Sequence, residues 1–248
     1  MKQLTDAQSL RYCRHILMPE FDFAGQEKLL NSQVMIIGLG GLGSSAAPYL
    51  ASAGVGALTL IDFDTIELSN LQRQIIHTED KIGINKALSA QQYIANINSE
   101  CDVTAIEQKL DKSALSALIE THDLVLDCTD NLNTREQINA LCYHHKVPLV
   151  SGAAIRFEGQ VTSFNWQPNT PCYHCLSQRF GEQQLTCVES GILSPLVGVI
   201  GAYQAMEAIK LLTGIGETLV GRLALFDGKT SINKEFSFKP VNNCQICG

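Results

Sequence analysis

The run GLGGLG, from Gly38 to Gly43, constrains this chain more than any other stretch. It follows the apolar segment QVMIIG and precedes SSAAPYLASAG, which reads as a helix. Glycines spaced G-x-G-x-x-G between a strand and a helix let the backbone turn tightly against a phosphate at the positive end of the helix dipole. Asp62 closes the next strand, ALTLID, where a ribose-binding acid belongs. These two features alone suit a nicotinamide-dependent oxidoreductase.

Downstream of the loop, strand and helix signals alternate. ALTLID, DVTAIEQ, DLVLDC and VPLVSG follow QVMIIG as strands, with helices expected near 42–53, 84–97, 113–120 and 133–146. Alternating β and α segments imply a parallel sheet covered on both faces. The second half differs. EGQVTSFNW alternates with period two and reads as antiparallel. A buried helix follows, with Ser194 as its cap, Pro195 in its first turn and Gly214 at its end. GRLALFD and NKEFSF then supply two more strands. The expected fold is α/β, one domain over 1–248. Its Rossmann-like nucleotide-binding half, 1–152, is continued by a mixed-sheet half, 153–248.

Charge narrows the partners. Eighteen basic against 25 acidic residues give a net charge of −7, which argues against a nucleic-acid surface but leaves room for a local phosphate pocket. The longest apolar stretch, GILSPLVGVIGAYQAM, is interrupted by Ser194, Pro195 and glycines, so no membrane span is expected. The polar N-terminus lacks the apolar core of a signal peptide, and a cytoplasmic location is expected. In that reducing compartment, nine cysteines point to metal or catalysis before disulfides.

Four of those cysteines are paired. Cys172 and Cys175 form one C-x-x-C, and Cys244 and Cys247 another, about 70 residues on. Two such pairs match a tetrahedral structural zinc that would staple the C-terminus to a distant loop; unconnected cysteines or a redox pair are the alternatives. His174, between the first pair, is a bystander if four thiolates fill the shell. A second cluster, DTIELSNLQRQ, sets Asn70, Gln72, Arg73 and Gln74 beside Asp62 and Asp64. Such a run is ordinarily a solvated loop, but at the mouth of a phosphate loop an arginine fork and amides can cradle oxyanions. Lys86 opens a helix, a placement opposed by the dipole unless an anion sits there. Asp127 and Asp130 lie at the end of the fourth strand, where ligands of open α/β sheets bind. Asp127 suits a structural role and Asp130 a magnesium ligand. Arg14 reads equally as a surface residue, and Cys187 as a small buried thiol or as a nucleophile or sulfur acceptor.

Together these segments resemble the MoeB/ThiF family of adenylating enzymes, relatives of the catalytic core of ubiquitin-activating enzymes. GLGGLG, DFDTIELSNLQRQ, Lys86, DCTDN, the paired C-x-x-C motifs and GAYQAMEAIK carry the resemblance over essentially the whole chain. SGAAIRFEGQ is most similar to the MoeB branch, the molybdopterin-synthase adenylyltransferases, whereas LFDGKTS leans to the ThiF branch of thiamine synthesis. No rhodanese-like segment of the kind eukaryotic relatives carry is expected after Gly248. The resemblance implies ATP-dependent adenylation of the Gly-Gly tail of a small ubiquitin-like sulfur-carrier protein, before a sulfur-donor enzyme forms its thiocarboxylate.

It also implies roles. Gly38, Gly40, Gly41 and Gly43 let the backbone approach ATP; Asp62 holds the ribose; Asn70, Arg73 and Lys86 hold the phosphates, and Ser69, Leu71, Gln72 and Asn131 also belong to the cofactor site. Asp130 carries Mg2+, and Zn2+ is structural. Arg14 reaches a partner subunit's ATP site, implying a homodimer with one carrier per subunit, and Cys187 matches a family cysteine whose role differs between branches. The rivals are a nicotinamide oxidoreductase, which leaves Arg73, Lys86 and Asp130 unexplained, and a non-catalytic scaffold for a ubiquitin-like partner, which would not need them.

Overall fold

The computed structural model describes residues 2–179 and 190–248. Cys187 therefore lies outside the described residues. Three helices precede the glycine loop: α1 (Asp6–Arg11), α2 (Cys13–Ile16) and α3 (Asp22–Leu30). The alternating half comprises β1 (Gln33–Ile37), α4 (Gly43–Ala53), β2 (Ala57–Ile61), α5 (Lys86–Ile97), β3 (Asp102–Ile106), α6 (Lys112–Ile119), β4 (Leu124–Asp127) and α7 (Leu132–His145). Next come β5 (Leu149–Ile155), β6 (Glu158–Phe164), α8 (Tyr173–Ser177), α9 (Ser194–Thr213), β7 (Arg222–Asp227) and β8 (Ile232–Ser237).

One eight-stranded sheet runs in the order β3-β2-β1-β4-β5-β6-β7-β8. The first five strands are parallel and the last three antiparallel, so the sheet is mixed, with a parallel start. The order 3-2-1-4-5 switches direction between β1 and β4, and open sheets of this kind bind ligands in the crevice outside the carboxyl ends of two such strands. The glycine loop leaves β1 there, and the segment Cys128–Asp130 leaves β4. β1 and β4 are apolar on both faces, with Val34, Met35, Ile36, Leu124, Val125 and Leu126 fully buried. Each such side chain contributes about 1.5–3 kcal/mol relative to exposure. The crevice thus sits at the ends of two deeply buried strands.

Helix starts are set by side-chain caps. Asn85 accepts from the amides of Ala87 and Leu88 and so begins α5 at Lys86, and Asn131 accepts from Thr134 and begins α7 just past Asp130. α9 corrects one expectation. Its cap residue is Leu193, not Ser194, because the incoming chain is docked by the Leu193 amide on the Arg156 carbonyl, 2.9 Å away. Ser194 is instead the first helical residue, and Pro195 follows in the first turn, where no amide is needed. Gly214 ends the helix in the left-handed conformation.

The glycines within α9 leave it continuous, as expected of a buried helix. By length and composition it is the one helix among the described residues long and apolar enough to cross a membrane. Here it is a core helix, packed on α4, β5 and β6. Gly201 sits where the α4 backbone at Leu42 comes closest, and a side chain there would collide with it. Two buried polar residues on α9 find partners within the protein, although Glu207 Oε1 accepts no hydrogen bond and is met by the Lys210 ammonium. Gln204 Nε2 donates to the Asp127 carbonyl at 2.8 Å. Glu207 accepts from the Leu219 amide at 2.8 Å and the Ser163 hydroxyl at 3.2 Å.

Candidate functional site

The glycine loop is closed by its own backbone and by its neighbours. Gly38 has φ 95°, and a Cβ there would stand 2.8 Å from the Cys128 carbonyl, so only glycine lets the β1 loop touch the end of β4. A Cβ on Gly41 would meet Val197 of α9 at 2.9 Å, so this glycine serves packing. Gly43 lies against the Gly38 carbonyl. At Gly40 a Cβ would meet only Gln74 Nε2, at 3.6 Å, and this position faces open space.

Around that opening the polar side chains interlock. Asp62 accepts from the amides of Leu39 at 2.7 Å and Asp64 at 2.9 Å, which binds the glycine loop to the end of β2. Burial raises its pKa, and the two amide hydrogen bonds oppose that rise. Lys86 is buried, and its ammonium lies 3.1 Å from the exposed Asp64 carboxylate. Its backbone is fixed too, because its amide donates to the Asp64 carbonyl while Asn85 Nδ2 bonds the carbonyls of Asp62 and Asp64. The lysine expected to want an anion therefore has one, held on a loop that solvent reaches.

His77 is a further support that the sequence did not signal. It is buried, with Nε2 3.0 Å from the Leu39 carbonyl and Nδ1 3.0 Å from the Ser89 hydroxyl. A carbonyl only accepts, so Nε2 carries the proton and Nδ1 accepts from Ser89. Burial lowers the His77 pKa and keeps the ring neutral.

The segment 68–74 forms a 3-10 turn at Leu68–Asn70 and then a tight loop. Asn70 accepts from the Glu67 amide, while its carbonyl takes the amides of Arg73 and Gln74. Arg73 Nη1 donates to the Ser69 carbonyl at 3.2 Å, and Gln72 reaches the Ile192 carbonyl at 3.4 Å. Ser69 bonds Glu67, and Leu71 is half-buried. Gln74 is 3% exposed, and its Oε1 has no protein partner. An open glycine backbone beside an orphaned buried acceptor fits a nucleotide, whose hydroxyl and amino groups can donate.

Across the crevice, Asp127 is buried and fully engaged by Thr129 and Ser151, a structural acid. Asp130 is exposed, with no side-chain hydrogen bond or ion pair among the described residues. Asn131 spends its oxygen on the α7 cap. Arg14, on α2, is exposed and forms no hydrogen bond or ion pair with any of these groups.

The four cysteines meet. Sγ atoms of Cys172, Cys175, Cys244 and Cys247 lie within 4.8 Å of one another, with Cys172–Cys175 at 3.9 Å, Cys172–Cys244 at 3.7 Å and Cys175–Cys247 at 3.5 Å. Zn–S bonds of about 2.3 Å in a tetrahedron require sulfurs roughly 3.8 Å apart, so the donor set fits zinc. The Val241 amide donates to Cys175 Sγ at 3.3 Å. His174 stays outside, bonded to Glu136 at 3.1 Å.

Comparison with known proteins agrees with this arrangement. A model of the ThiF family matches residues 12–246. The chain is 53% identical to the molybdopterin-synthase adenylyltransferase of Escherichia coli (strain K12), over all of both chains. It is 45% identical to the sulfur carrier protein ThiS adenylyltransferase of the same organism, covering 99% of this chain and 97% of that one. Among solved structures, E. coli MccB with ATP superposes with a TM-score of 0.84 at 24% identity, covering 96% of this chain and 73% of that one. That likeness speaks to the fold.

Proposed function

Since this chain belongs to the ThiF family, we propose that it is an adenylyltransferase of the molybdopterin-synthase type. It activates the C-terminal glycine of a small ubiquitin-like sulfur carrier with ATP in molybdenum cofactor biosynthesis. The observation that carries this reading is the higher full-length identity to the molybdopterin-synthase enzyme than to the thiamine-carrier enzyme. The crevice supports it, because its groups suit a bound nucleotide and its phosphates.

In this reading the carrier's terminal carboxylate, with a pKa of about 3.5, is already ionised at neutral pH and needs no general base. Its oxygen attacks the α-phosphorus, an O–P bond forms, and the bond to the bridging oxygen breaks as pyrophosphate leaves. The barrier is the approach of one anion to another in a protein of net charge −7. Lys86 and Arg73 offset it, with Lys86 exchanging Asp64 for phosphate oxygens, and Asn70 orients the phosphate chain. Asp62 holds the ribose through the oxygen lone pairs left after its two amide bonds, and Gly40 gives the backbone its closest approach. Asp130 would hold Mg2+, which when bound supplies positive charge to the leaving group. The first 152 residues bind ATP, and 153–248 carry zinc and receive the carrier. Arg14 acts in the partner subunit's site of a cytoplasmic homodimer, and a sulfur-donor enzyme uses the acyl-adenylate.

ATP–pyrophosphate exchange with purified molybdopterin-type and thiamine-type carriers tests the assignment. Magnesium-dependent exchange with the molybdopterin-type carrier is expected. Exchange with the thiamine-type carrier alone would move the chain to the other branch, and none with either would overturn the reaction.

A further inference from the structure

Arg135 lies in the first turn of α7, only 7% exposed, five residues after Asp130. A buried arginine calls for an explanation, because its charge is costly unless it is paired and hydrogen-bonded. Its Nη2 donates to the Thr129 carbonyl. The buried Asp127 carboxylate, the phenol of Tyr173, which hydrogen-bonds the guanidinium, and more weakly the Asp130 carboxylate all act on it. Asp127 in turn accepts from the Thr129 amide at 3.0 Å and the Thr129 hydroxyl at 2.7 Å. Every polar group of Thr129 is thus held, its amide and hydroxyl by Asp127 and its carbonyl by Arg135. The peptide plane that leads into Asp130 is fixed, while the Asp130 side chain makes no hydrogen bond among the described residues and feels the Arg135 charge.

The same face of α7 grips the four-cysteine knuckle. Tyr173 lies between Cys172 and Cys175, and its amide donates to Asn139 Oδ1 at 2.8 Å. Glu136 accepts from the Ser177 hydroxyl at 2.5 Å and pairs with His174 at 3.1 Å. Arg135, Glu136 and Asn139 therefore tie α7 to α8, and Arg135 alone continues the connection to Thr129.

We propose that Arg135 is a positioning residue that sets the aim of Asp130, and that through Tyr173 it makes this aim depend on the four-cysteine knuckle. The proposal rests on the reading of Asp130 as the magnesium carrier. It differs from a purely structural role, in which Arg135 only neutralises Asp127. Arg135→Lys separates the two, since it keeps the charge beside Asp127 but loses the planar fork that spans Thr129 and Tyr173. Tyr173→Phe removes only the phenol oxygen and leaves the ring packed.

The test is calorimetric titration of the whole chain with a non-hydrolysable ATP analogue over a series of magnesium concentrations, beside thermal unfolding. Arg135→Lys is expected to raise the magnesium concentration for half-maximal affinity by roughly tenfold, the lower end for partners that orient a metal ligand. Tyr173→Phe should shift it severalfold the same way. Neither should alter affinity in the absence of magnesium, and in an Asp130→Asn background both shifts should vanish. An unchanged magnesium requirement in Arg135→Lys, with a lowered Tm, would reduce Arg135 to a partner for Asp127 and overturn the proposal. A shift in Arg135→Lys but not in Tyr173→Phe would remove the knuckle from it. If Arg135→Lys does not fold, an unshifted Tyr173→Phe refutes the coupling. If Asp130→Asn alone leaves the magnesium requirement unchanged, the reading of Asp130 itself has failed.

Discussion

Replacing Lys86 with methionine separates the lysine's contribution to folding from its contribution to chemistry. Methionine keeps the buried apolar stem and removes the charge. The ion pair lost, 3.1 Å to Asp64, has one partner with a side chain 54% exposed. Solvent screening holds such a pair to about 1 kcal/mol or less. Removing a cation from the first turn of α5 returns a few tenths of a kcal/mol, roughly 0.3–1, from the helix dipole. The net stability change is therefore within about 1 kcal/mol, which for a domain of this size is a Tm shift of roughly 2–4 °C. The effect on chemistry is much larger. Loss of one preorganised group facing the charge that develops in the transition state costs about 3–4 kcal/mol, or roughly 10²–10³-fold in rate. Thermal unfolding and carrier-dependent pyrophosphate exchange on the same preparation give both numbers. An exchange rate within about threefold of the unmodified protein would refute the reasoning. So would a Tm so low that lost activity merely follows lost fold.

Further outcomes are expected. Elemental analysis of protein purified without added metal should find one zinc per chain, and Cys244→Ser should lose it; zinc-free protein with an unchanged Tm would contradict the closed sulfur site. Because burial lowers the His77 pKa below its unfolded value, near 6.5, stability from this residue is complete above about pH 6.5 and is lost as the pH falls through the folded value. Comparing Tm against pH with His77→Gln should show the shallower slope below pH 6.5 in the variant, and equal slopes would sink the assignment. Cys187→Ala should keep adenylation, since an ionised carboxylate needs no protein nucleophile; loss of exchange in a folded variant would place that thiol in the first step.

Much of the architecture was legible because its signals are local. The five parallel strands are short apolar runs, and the period-two alternation of EGQVTSFNW marks where the sheet turns antiparallel at β6. The cysteine spacing identified the two halves of a site that folding then brings within 4.8 Å. The failures were tertiary. Ser194 has the right chemistry for a cap, but docking of Leu193 on Arg156 moves the helix start by one residue. The glycines of α9 read as part of one buried helix, as they are, but the reason for Gly201, the room that the start of α4 needs, was not legible. The packing of Gly41 against Val197, on a helix some 150 residues away, gave no signal in the sequence beside its expected nucleotide contact. His77 and Arg135 gave no periodic or motif signal, since their value lies in single carbonyls, of Leu39 and Thr129, that only the fold brings near. Asn85 could have been found, as a cap-type residue directly before Lys86.

The most direct measurement follows the label from α-labelled ATP when the chain is incubated with magnesium and a molybdopterin-type carrier. Label should appear on the carrier, only when its terminal glycine carboxylate is intact, and should be discharged by a sulfur donor or by pyrophosphate. Label found on the enzyme itself, or released as free nucleotide with the carrier unmodified, would contradict adenylation of the carrier's C-terminus.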